Sequence, residues 1–375
     1  MGAPTLYDKV MTLSPLTLSF RAALARLQWG LGHIEYLCRP GYPYDGNEYV
    51  TAQPSRTILI TGGAGFIGSA LIARLVERNQ IVVFDTLHRN ALAKSGLADH
   101  PHVRVVQGDI LDLPTLESAM RECSAVLHLA AVAGVDTVIR QPVRTMTTNL
   151  VGTLNVLSAA QRHGGIERLV AFSTSEVFGT HAYKVDELHA TSQGGVGEAR
   201  WTYAVSKLAG EHMAHAYFDE FSLPIVMVRP FNIYGPGQIG EGAIHHFTVR
   251  ALRGEDLIVH GDGSQIRAWC YIDDLVDGSL MCLEAPEAVG NTFNIGNPRS
   301  TVTIYDLAER IIRLANSSSR ISFKPITYAD IELRIPDVSK MESMLGYRAQ
   351  VNLDDGLSRT LAWYRRQHLD AATDR

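Results

Sequence analysis

The sequence has few cysteines, a modest share of charge and no long apolar run, and each shortage argues against a class of protein. Its four cysteines among 375 residues (Cys38, Cys123, Cys270 and Cys282) show no CxxC or His-rich spacing. This indicates neither a zinc site nor a disulfide framework and predicts buried thiols in a reducing compartment. A net charge of −5 lacks the basic excess of a nucleic-acid-binding protein.

Two further absences concern membranes and secretion. No apolar stretch reaches the ~18 residues needed to span a bilayer. The opening MGAPTLYDKVMTLSPLTLSF carries polar residues and Pro15, which makes a poor signal peptide. We therefore expect a cytoplasmic protein without membrane or nucleic-acid partners.

From Arg56 onward, short β-branched apolar runs alternate with amphipathic segments. The runs are TILIT (57–61), QIVVFD (80–85), VRVVQ (103–107), AVLHLA (125–130), RLVAFS (168–173) and PIVMVR (224–229). Buried strands that alternate with helices predict an α/β fold with a Rossmann-type doubly wound parallel sheet. After about Phe231 the pattern changes to loops and shorter elements, which indicates a smaller interleaved C-terminal substrate-binding domain.

These patterns divide the chain into three regions. Residues 1–54 form an N-terminal extension of unknown role. Residues 55–230 form the NAD-binding Rossmann domain, to which residues 265–295 return. Residues 231–264 and 296–375 form the substrate-binding cap.

A glycine-rich motif follows the first strand. ILITGGAGFIG places Gly62, Gly65 and Gly68 between that strand and a helix, where glycine lets the backbone approach a pyrophosphate at the helix N-terminus. Asp85 ends the next strand and can accept hydrogen bonds from ribose hydroxyls, which favours NAD over NADP. Arg89, nearby, leaves NADP open.

Asp109 and Ile110 follow the third strand, where they can reach the adenine edge. The alternative is that Asp109 caps a helix.

A second motif, WTYAVSKLAGEHMAHAY, is amphipathic and places Tyr203 and Lys207 four residues apart on one helical face. The ordinary pKa of a tyrosine is ~10. A nearby ammonium and the positive nicotinamide of NAD+ favour the phenolate, so that Tyr203 could act as a base near neutral pH. The alternative is a surface Tyr–Lys pair.

In combination these motifs resemble the extended short-chain dehydrogenase/reductases that act on nucleotide sugars. The resemblance rests on TGGAGFIG (61–68), HLAA (128–131), Asn149, Thr174 and the Tyr203–Lys207 pair, and it covers residues 56–367. It implies that Tyr203 is the base, that Lys207 holds Tyr203 and the nicotinamide ribose, and that Thr174 binds the sugar 4-hydroxyl while C4 gives a hydride to NAD+. The implied NAD contacts are Gly62, Gly65, Phe66, Ile67, Gly68, Asp85, Asp109, Ile110, Leu129, Ala130, Ala131, Asn149, Tyr203 and Lys207.

The residues after Thr174 bear on the reaction. Members that remove water across C5 and C6 mostly carry Asp-Glu here, and 4-epimerases usually carry small residues, whereas Ser175-Glu176 resembles the UDP-glucuronic acid decarboxylases. A carboxylate at C6 would be repelled by Asp, by several kcal/mol in a poorly screened site, whereas Ser175 can donate to it. Glu176 could order a water or return a proton to C5. Two alternatives stay open: Ser175 as a plain strand-end hydroxyl, and a GDP-mannose 4,6-dehydratase, since some of these also read Thr-Ser-Glu.

Arginines supply candidate anion contacts. Arg334 in RIPDVSK lies where such decarboxylases place an arginine near the substrate carboxylate, and Arg267 in SQIRAWCYIDDL resembles the arginine that contacts the diphosphate; a structural salt bridge is the alternative for each. Arg200 could line the sugar pocket, but the sequence favours a solvated helix start. Asn232 in RPFNIYGPG resembles a sugar-nucleotide contact.

The resemblance therefore predicts an NAD-dependent enzyme that decarboxylates UDP-glucuronic acid through a 4-keto intermediate, giving UDP-4-keto-pentose or UDP-xylose. A 4,6-dehydratase, a UDP-sugar 4-epimerase and a non-catalytic dinucleotide sensor are the alternatives, and the intact glycine and Tyr-Lys motifs count against the sensor. By analogy we expect a homodimer that pairs the helix at about 142–163 with the helix carrying Tyr203.

Overall fold

A seven-stranded, all-parallel sheet forms the centre of the fold. The computed structural model describes residues 56–326, 328 and 330–373, so the extension predicted for residues 1–54 lies outside the described residues. The strand order is β3-β2-β1-β4-β5-β7-β12. The strands are β1 (Thr57–Thr61), β2 (Gln80–Asp85), β3 (Val103–Gln107), β4 (Ala125–His128), β5 (Arg168–Phe172), β7 (Ile225–Pro230) and β12 (Thr292–Ile295).

All six apolar runs of the sequence become strands of this sheet, which confirms the Rossmann-type fold. Five of them are largely buried. The expectation of a buried strand is wrong for β3, where Arg104, Val105 and Gln107 are exposed. The reason is its place at the sheet edge, where β2 is its only neighbour among the described strands.

Helices cover both faces of the sheet. They are α1 (Phe66–Leu75), α2 (Leu113–Met120), α3 (Val135–Arg140), α4 (Pro142–Met146), α5 (Gly152–His163), α6 (Thr202–Phe221), α7 (Ala243–Leu252), α8 (Ile272–Glu284), α9 (Ile304–Ala315), α10 (Ser339–Leu345) and α11 (Leu353–Thr373). Alternate residues of β1 enter separate cores: Ile58 and Ile60 pack on one face, and Leu59 on the other. This period of two places an apolar core on each side of the sheet.

The helix expected over about 142–163 is not regular. A π-helical turn, Thr147–Val151, separates α4 from α5. Such turns are rare and frequently lie at functional sites, and this one carries Asn149.

A smaller mixed sheet lies beside the central one. It has the order β13-β10-β15-β6 and is built from β6 (His181–Val185), β10 (Ile266–Ala268), β13 (Thr301–Thr303) and β15 (Leu333–Pro336). Strands β10 and β15 run parallel, and their register sets Arg267 directly opposite Arg334. Two short parallel pairs complete the strands: β8 (Ile233–Tyr234) with β11 (Cys270–Tyr271), and β9 (Leu257–His260) with β14 (Ile321–Lys324).

Candidate active site

The glycine loop is shaped for close approach of a ligand. Gly62 has a φ of +72°, and a β-carbon on it would lie 2.6 Å from the Ala130 nitrogen. A β-carbon on Gly68 would lie 2.6 Å from the Gly62 oxygen, whereas one on Gly65 would meet only that oxygen, at 3.2 Å. Gly65 therefore leaves open space directly before α1. These residues fit a pyrophosphate at the helix N-terminus. Phe66 and Ile67 are half-buried and lie in the first turn of α1.

Asp85 ends β2 beside this loop. Its carboxylate accepts hydrogen bonds from the Ala64 nitrogen at 3.0 Å and the Leu87 nitrogen at 2.8 Å. Burial raises the pKa of Asp85, and these two donors act against the rise. Arg89 donates to Thr137 at 3.3 Å and to Glu241 at 3.4 Å, so its charge already has a partner.

Asp109 lies on the surface, and its carboxylate accepts from the Leu111 nitrogen at 2.9 Å. The alternative of a helix cap is wrong, because Asp112 is the cap of α2. Ile110 is buried and its carbonyl accepts from the Asn155 amide at 2.9 Å.

Asn149 fixes the segment that follows β4. Its side chain accepts from the Val132 nitrogen at 2.7 Å and donates to the Val132 oxygen at 3.0 Å and to the Ser206 hydroxyl at 3.1 Å. Leu129, Ala130 and Ala131, at the end of that strand, stay half-buried beside the glycine loop. The π turn thus connects the proposed coenzyme cleft with helix α6.

Tyr203 and Lys207 lie in the first two turns of α6, next to the end of β5. The Lys207 ammonium donates to the Phe172 oxygen at 2.6 Å, and burial lowers its pKa to about 8. Burial also raises the pKa of Tyr203; the Glu176 charge adds to the rise and a hydrogen bond with the Thr174 side chain opposes it. Tyr203 in the free protein is therefore a neutral phenol that needs a further positive charge to become a base.

Ser175 and Glu176 open a 3₁₀ turn, Ser175–Phe178, which Thr174 caps by accepting from the Glu176 nitrogen at 3.2 Å. The Glu176 carboxylate receives both ends of the Arg200 guanidinium, at 2.6 and 3.2 Å, and lies 3.8 Å from Arg334. Burial acts to raise the pKa of Glu176, but the charges of Arg200 and Arg334 outweigh it and hold that pKa below its usual value. Glu176 is therefore a half-buried carboxylate kept ionised by arginines.

Arg200 corrects a prediction. The sequence favoured a solvated helix start, but Arg200 is 5% exposed and belongs to the 3₁₀ turn Ala199–Trp201 directly before α6. The sequence signal that could have indicated this burial is the position of Arg200 three residues before Tyr203. The segment that leads into α6 must approach the end of β5.

Arg267 and Asn232 hold main chain in this structure. Arg267 donates to the Ile266 oxygen at 3.0 Å and to the Ile331 oxygen, and lies 3.7 Å from Asp330. Asn232 has a φ of +44° and donates to the Ala268 oxygen at 2.8 Å. Both residues therefore support main chain in and beside β10.

Two polar clusters near the cleft were not predicted from the sequence. Glu241 accepts from the Asp136 and Thr137 nitrogens at 2.9 and 3.3 Å and from the Thr137 hydroxyl at 2.6 Å, which ties the loop before α7 to the start of α3. His128 is buried between the hydroxyls of Thr61 and Thr153, at 2.8 and 2.9 Å. Such contacts join residues far apart in the chain, and no local spacing indicates them.

Cys123, Cys270 and Cys282 are free and buried, as predicted, and Cys38 lies outside the described residues. No helix within residues 56–373 combines the length and apolarity needed to cross a bilayer. Those same residues hold no cluster of three or more His, Cys, Asp or Glu side chains that could bind a metal.

A glycine loop at the first strand, an acid ending the second and a Tyr-Lys pair beside the fifth define a dinucleotide-dependent enzyme of the Rossmann class. Residues 58–296 match the model of the NAD dependent epimerase/dehydratase family, and the chain belongs to this family. It uses NAD.

Relatives and solved structures agree with this assignment. The chain is 34% identical over 319 residues to UDP-N-acetyl-alpha-D-glucosaminuronate decarboxylase of Bacillus cytotoxicus, covering 82% of this chain and 97% of that one. It is 36% identical to UDP-glucuronic acid decarboxylase 3 of Arabidopsis thaliana, covering 81% and 88%. Among structures, UDP-glucuronic acid 4-epimerase from Bacillus cereus in complex with UDP-glucuronic acid and NAD superimposes with a TM-score of 0.76 at 30% identity, covering 83% and 99%.

Proposed function

We propose that the protein is an NAD-dependent decarboxylase of UDP-glucuronic acid. The observation that carries this proposal is the charge balance beside Tyr203. Three guanidiniums are buried here, those of Arg200, Arg267 and Arg334. The charges of all three act on the Glu176 carboxylate, and Asp330 adds one more partly exposed carboxylate. Buried charges need partners, so this site has room for one more anion. A sugar carboxylate would supply it.

The cofactor and the substrate would meet at the end of β5. Gly62, Gly65, Gly68 and Asp85 fit the pyrophosphate and a ribose, while Lys207 and Asn149 fit the nicotinamide end. Bound NAD+ would accept the hydride from C4 of the sugar, which makes the C6 carboxylate a β-keto acid that can lose CO2.

The chain's own residues handle the protons and the orientation. Tyr203 takes the proton from O4 once the cofactor's positive charge lowers its pKa, and Lys207 stabilises the phenolate. Thr174 binds the 4-hydroxyl. Ser175 donates to the C6 carboxylate, and Arg334 takes that carboxylate as a fork. Arg267 and Asn232 are proposed to line the nucleotide and sugar subsites, and Asp109, Ile110 and residues 129–131 the adenosine side.

The state of Glu176 weighs against the dehydratase alternative. A dehydratase needs this glutamate to take the C5 proton, and a carboxylate whose pKa is held below its usual value is a weak base. The 4-epimerase alternative requires the sugar to rotate in the pocket without losing carbon. Loss of CO2 would leave an enolate across C4 and C5, which takes a proton at C5 from a water ordered by Glu176. The resulting 4-keto pentose is either released or reduced at C4 by the returning hydride to give UDP-xylose.

The deciding experiment incubates the purified protein with UDP-glucuronate and NAD+ and follows CO2 release and product mass. A product lighter by one CO2 establishes decarboxylation, and the ratio of pentose to keto-pentose shows whether the hydride returns. An unchanged mass with altered stereochemistry would establish an epimerase instead. UDP-N-acetylglucosaminuronate, UDP-glucose, dTDP-glucose and GDP-mannose extend the test.

Ser175 offers a matched pair of variants for the same assay. Ser175→Asp places a like charge against the substrate carboxylate, so we expect KM for UDP-glucuronate to rise far more than in Ser175→Ala. Equal effects would remove the argument that serine is present to receive a carboxylate.

We further infer a homodimer and a cytoplasmic location. Apolar side chains lie exposed on the π turn, α5 and α6: Val151, Leu154 and Val205 are 42%, 37% and 38% exposed. These would pack against a second copy. Leu154→Lys should shift the sedimentation coefficient toward a monomer, while Leu188→Lys, at a 94% exposed position, should not. The free buried thiols agree with a reducing compartment, which cell fractionation would test.

A further inference from the structure

Glu176 is held unequally by its two arginines. Arg200 reaches it as a fork, with nitrogen–oxygen distances of 2.6 and 3.2 Å. The nearest nitrogen of Arg334 is 3.8 Å away, too far for a hydrogen bond. Bidentate Arg–carboxylate pairs have the stronger geometry, so Glu176 is the partner of Arg200 and only a neighbour of Arg334.

Arg334 consequently keeps unused donors in a buried place. It is 3% exposed, and its one hydrogen bond among the described residues is a long one, 3.4 Å from Nη2 to the Gly179 oxygen. Its Nε is buried and has no partner in that same part of the chain. Arg267, its register neighbour across β10 and β15, adds a like charge. Burying a guanidinium with so few hydrogen-bond acceptors costs free energy unless a bound anion supplies the missing acceptors.

Glu176 is also the group best placed to block the binding of a ligand carboxylate to Arg334. If its carboxylate moved to Arg334, it would occupy the donors that a ligand carboxylate needs. Arg200 instead holds the carboxylate in its fork, and Arg200 is itself buried, with its guanidinium 5.5 Å from the ring centre of Trp201. Its 3₁₀ turn leads directly into α6, so its position is coupled to that of Tyr203.

We propose that Arg200 is a positioning residue that holds Glu176 away from Arg334, so that Arg334 remains free to bind the carboxylate of the sugar substrate. This rests on the proposed function, because it requires a substrate with a carboxylate at C6. The same proposal gives Glu176 a role as the fixed counter-charge of Arg200. In that position Glu176 does not compete with the substrate carboxylate for the donors of Arg334.

The test measures binding in the full-length protein with NAD+ present, in a Tyr203→Phe background that prevents turnover. Two probes share a nucleotide and differ in the carboxylate: UDP-glucuronate and UDP-xylose. We expect Arg200→Gln to weaken the binding of UDP-glucuronate by about tenfold to a hundredfold, as for other broken buried charge pairs. The dissociation constant for UDP-xylose should change by less than about threefold, since no carboxylate is involved.

A second substitution separates this role from a structural one. In Arg200→Gln/Glu176→Gln no competing carboxylate remains. The affinity for UDP-glucuronate should therefore recover to within a few fold of that of the parent protein, which carries Tyr203→Phe alone. Arg200→Lys, which keeps the charge without the fork, should lie between the parent and Arg200→Gln, and it replaces Arg200→Gln if that variant does not fold.

The failures are distinguishable. The proposed function itself would be overturned if the wild type released no CO2 and the Tyr203→Phe protein bound UDP-glucuronate and UDP-xylose equally. A wild type that decarboxylates, combined with an Arg200→Gln or Arg200→Lys variant that weakens both probes alike, would overturn only the positioning role. Failure of Glu176→Gln to restore binding would do the same.

Discussion

Lys207 on helix α6 donates a 2.6 Å hydrogen bond to the main-chain oxygen of Phe172, the last residue of β5. This bond joins the helix that carries Tyr203 to the strand that leads into Thr174. An ammonium fixed in this way is held at the end of β5, where we propose that it acts on Tyr203 and on a nicotinamide ribose.

The first prediction concerns pH. Because burial lowers the pKa of Lys207 to about 8, the ammonium is present below that pH and is lost above it. We expect kcat/KM for UDP-glucuronate to fall as pH rises through about 8. In Lys207→Arg the falling limb should move to higher pH because guanidinium keeps its charge, while kcat drops by about a hundredfold. Initial rates of CO2 release from about pH 6 to 10 would check this, and an unmoved limb in Lys207→Arg would assign it to another group.

The second prediction compares two acids beside the proposed adenosine site. Asp85→Asn removes a charge that would accept from ribose hydroxyls, and we expect KM for NAD+ to rise by about tenfold to a hundredfold. Asp109→Asn, at an exposed side chain, should change it by less than about threefold. NADP+ should become a better substrate only in Asp85→Asn, because repulsion of its 2′-phosphate is removed. Steady-state kinetics with both cofactors decide; equal effects would mean that Asp109 binds adenine as strongly as Asp85 binds ribose.

The third prediction uses two glycines with matching backbone. Gly62 and Gly96 have φ values of +72° and +71°, but a β-carbon on Gly96 would meet no atom of the described residues within 4 Å. Gly96→Ala should lower the free energy of unfolding by about 1–2 kcal/mol from backbone strain alone. Gly62→Ala should lose roughly 1–3 kcal/mol more, because its methyl group collides with main chain at Ala130. Urea denaturation measures both, and similar losses would show that the loop can open around the methyl group.

The fourth prediction concerns Asp274, which is 2% exposed and accepts from the Gln350 and Val351 nitrogens at 2.7 and 3.1 Å. Burial raises its pKa to about 6 even though these donors act to lower it. Between about pH 4 and 6 the native state therefore holds a proton that the unfolded chain releases, so this group's contribution to stability falls as pH rises.

Asp274→Asn removes this titration. We expect the variant to gain stability relative to wild type as pH rises from about 4 to 7, by up to about 3 kcal/mol. Parallel urea titrations across that range would check it, and a constant difference between the two proteins would contradict it.

The sequence by itself determined the central sheet and the place of the dinucleotide site. Continuous apolar runs with amphipathic segments between them leave few ways to bury the chain, and the glycine-rich motif was recognisable because it joins the first of these runs directly to a helix. The pairing of Tyr203 with Lys207 was visible for the same local reason, a spacing of four on one helix. The acid at the end of β2 favoured NAD, while Arg89 left NADP open, and the match to the NAD dependent epimerase/dehydratase family decided between them.

Tertiary structure alone decided the charge arrangement. Arg200, Glu176 and Arg334 lie on a 3₁₀ turn before α6, on the turn after β5 and on a strand of the smaller sheet, and no spacing links them. The sequence therefore favoured a solvated Arg200, whereas packing buried it against Glu176. The π turn at Asn149 and the exposed edge strand β3 were hidden likewise, because both depend on which neighbours the folded chain supplies.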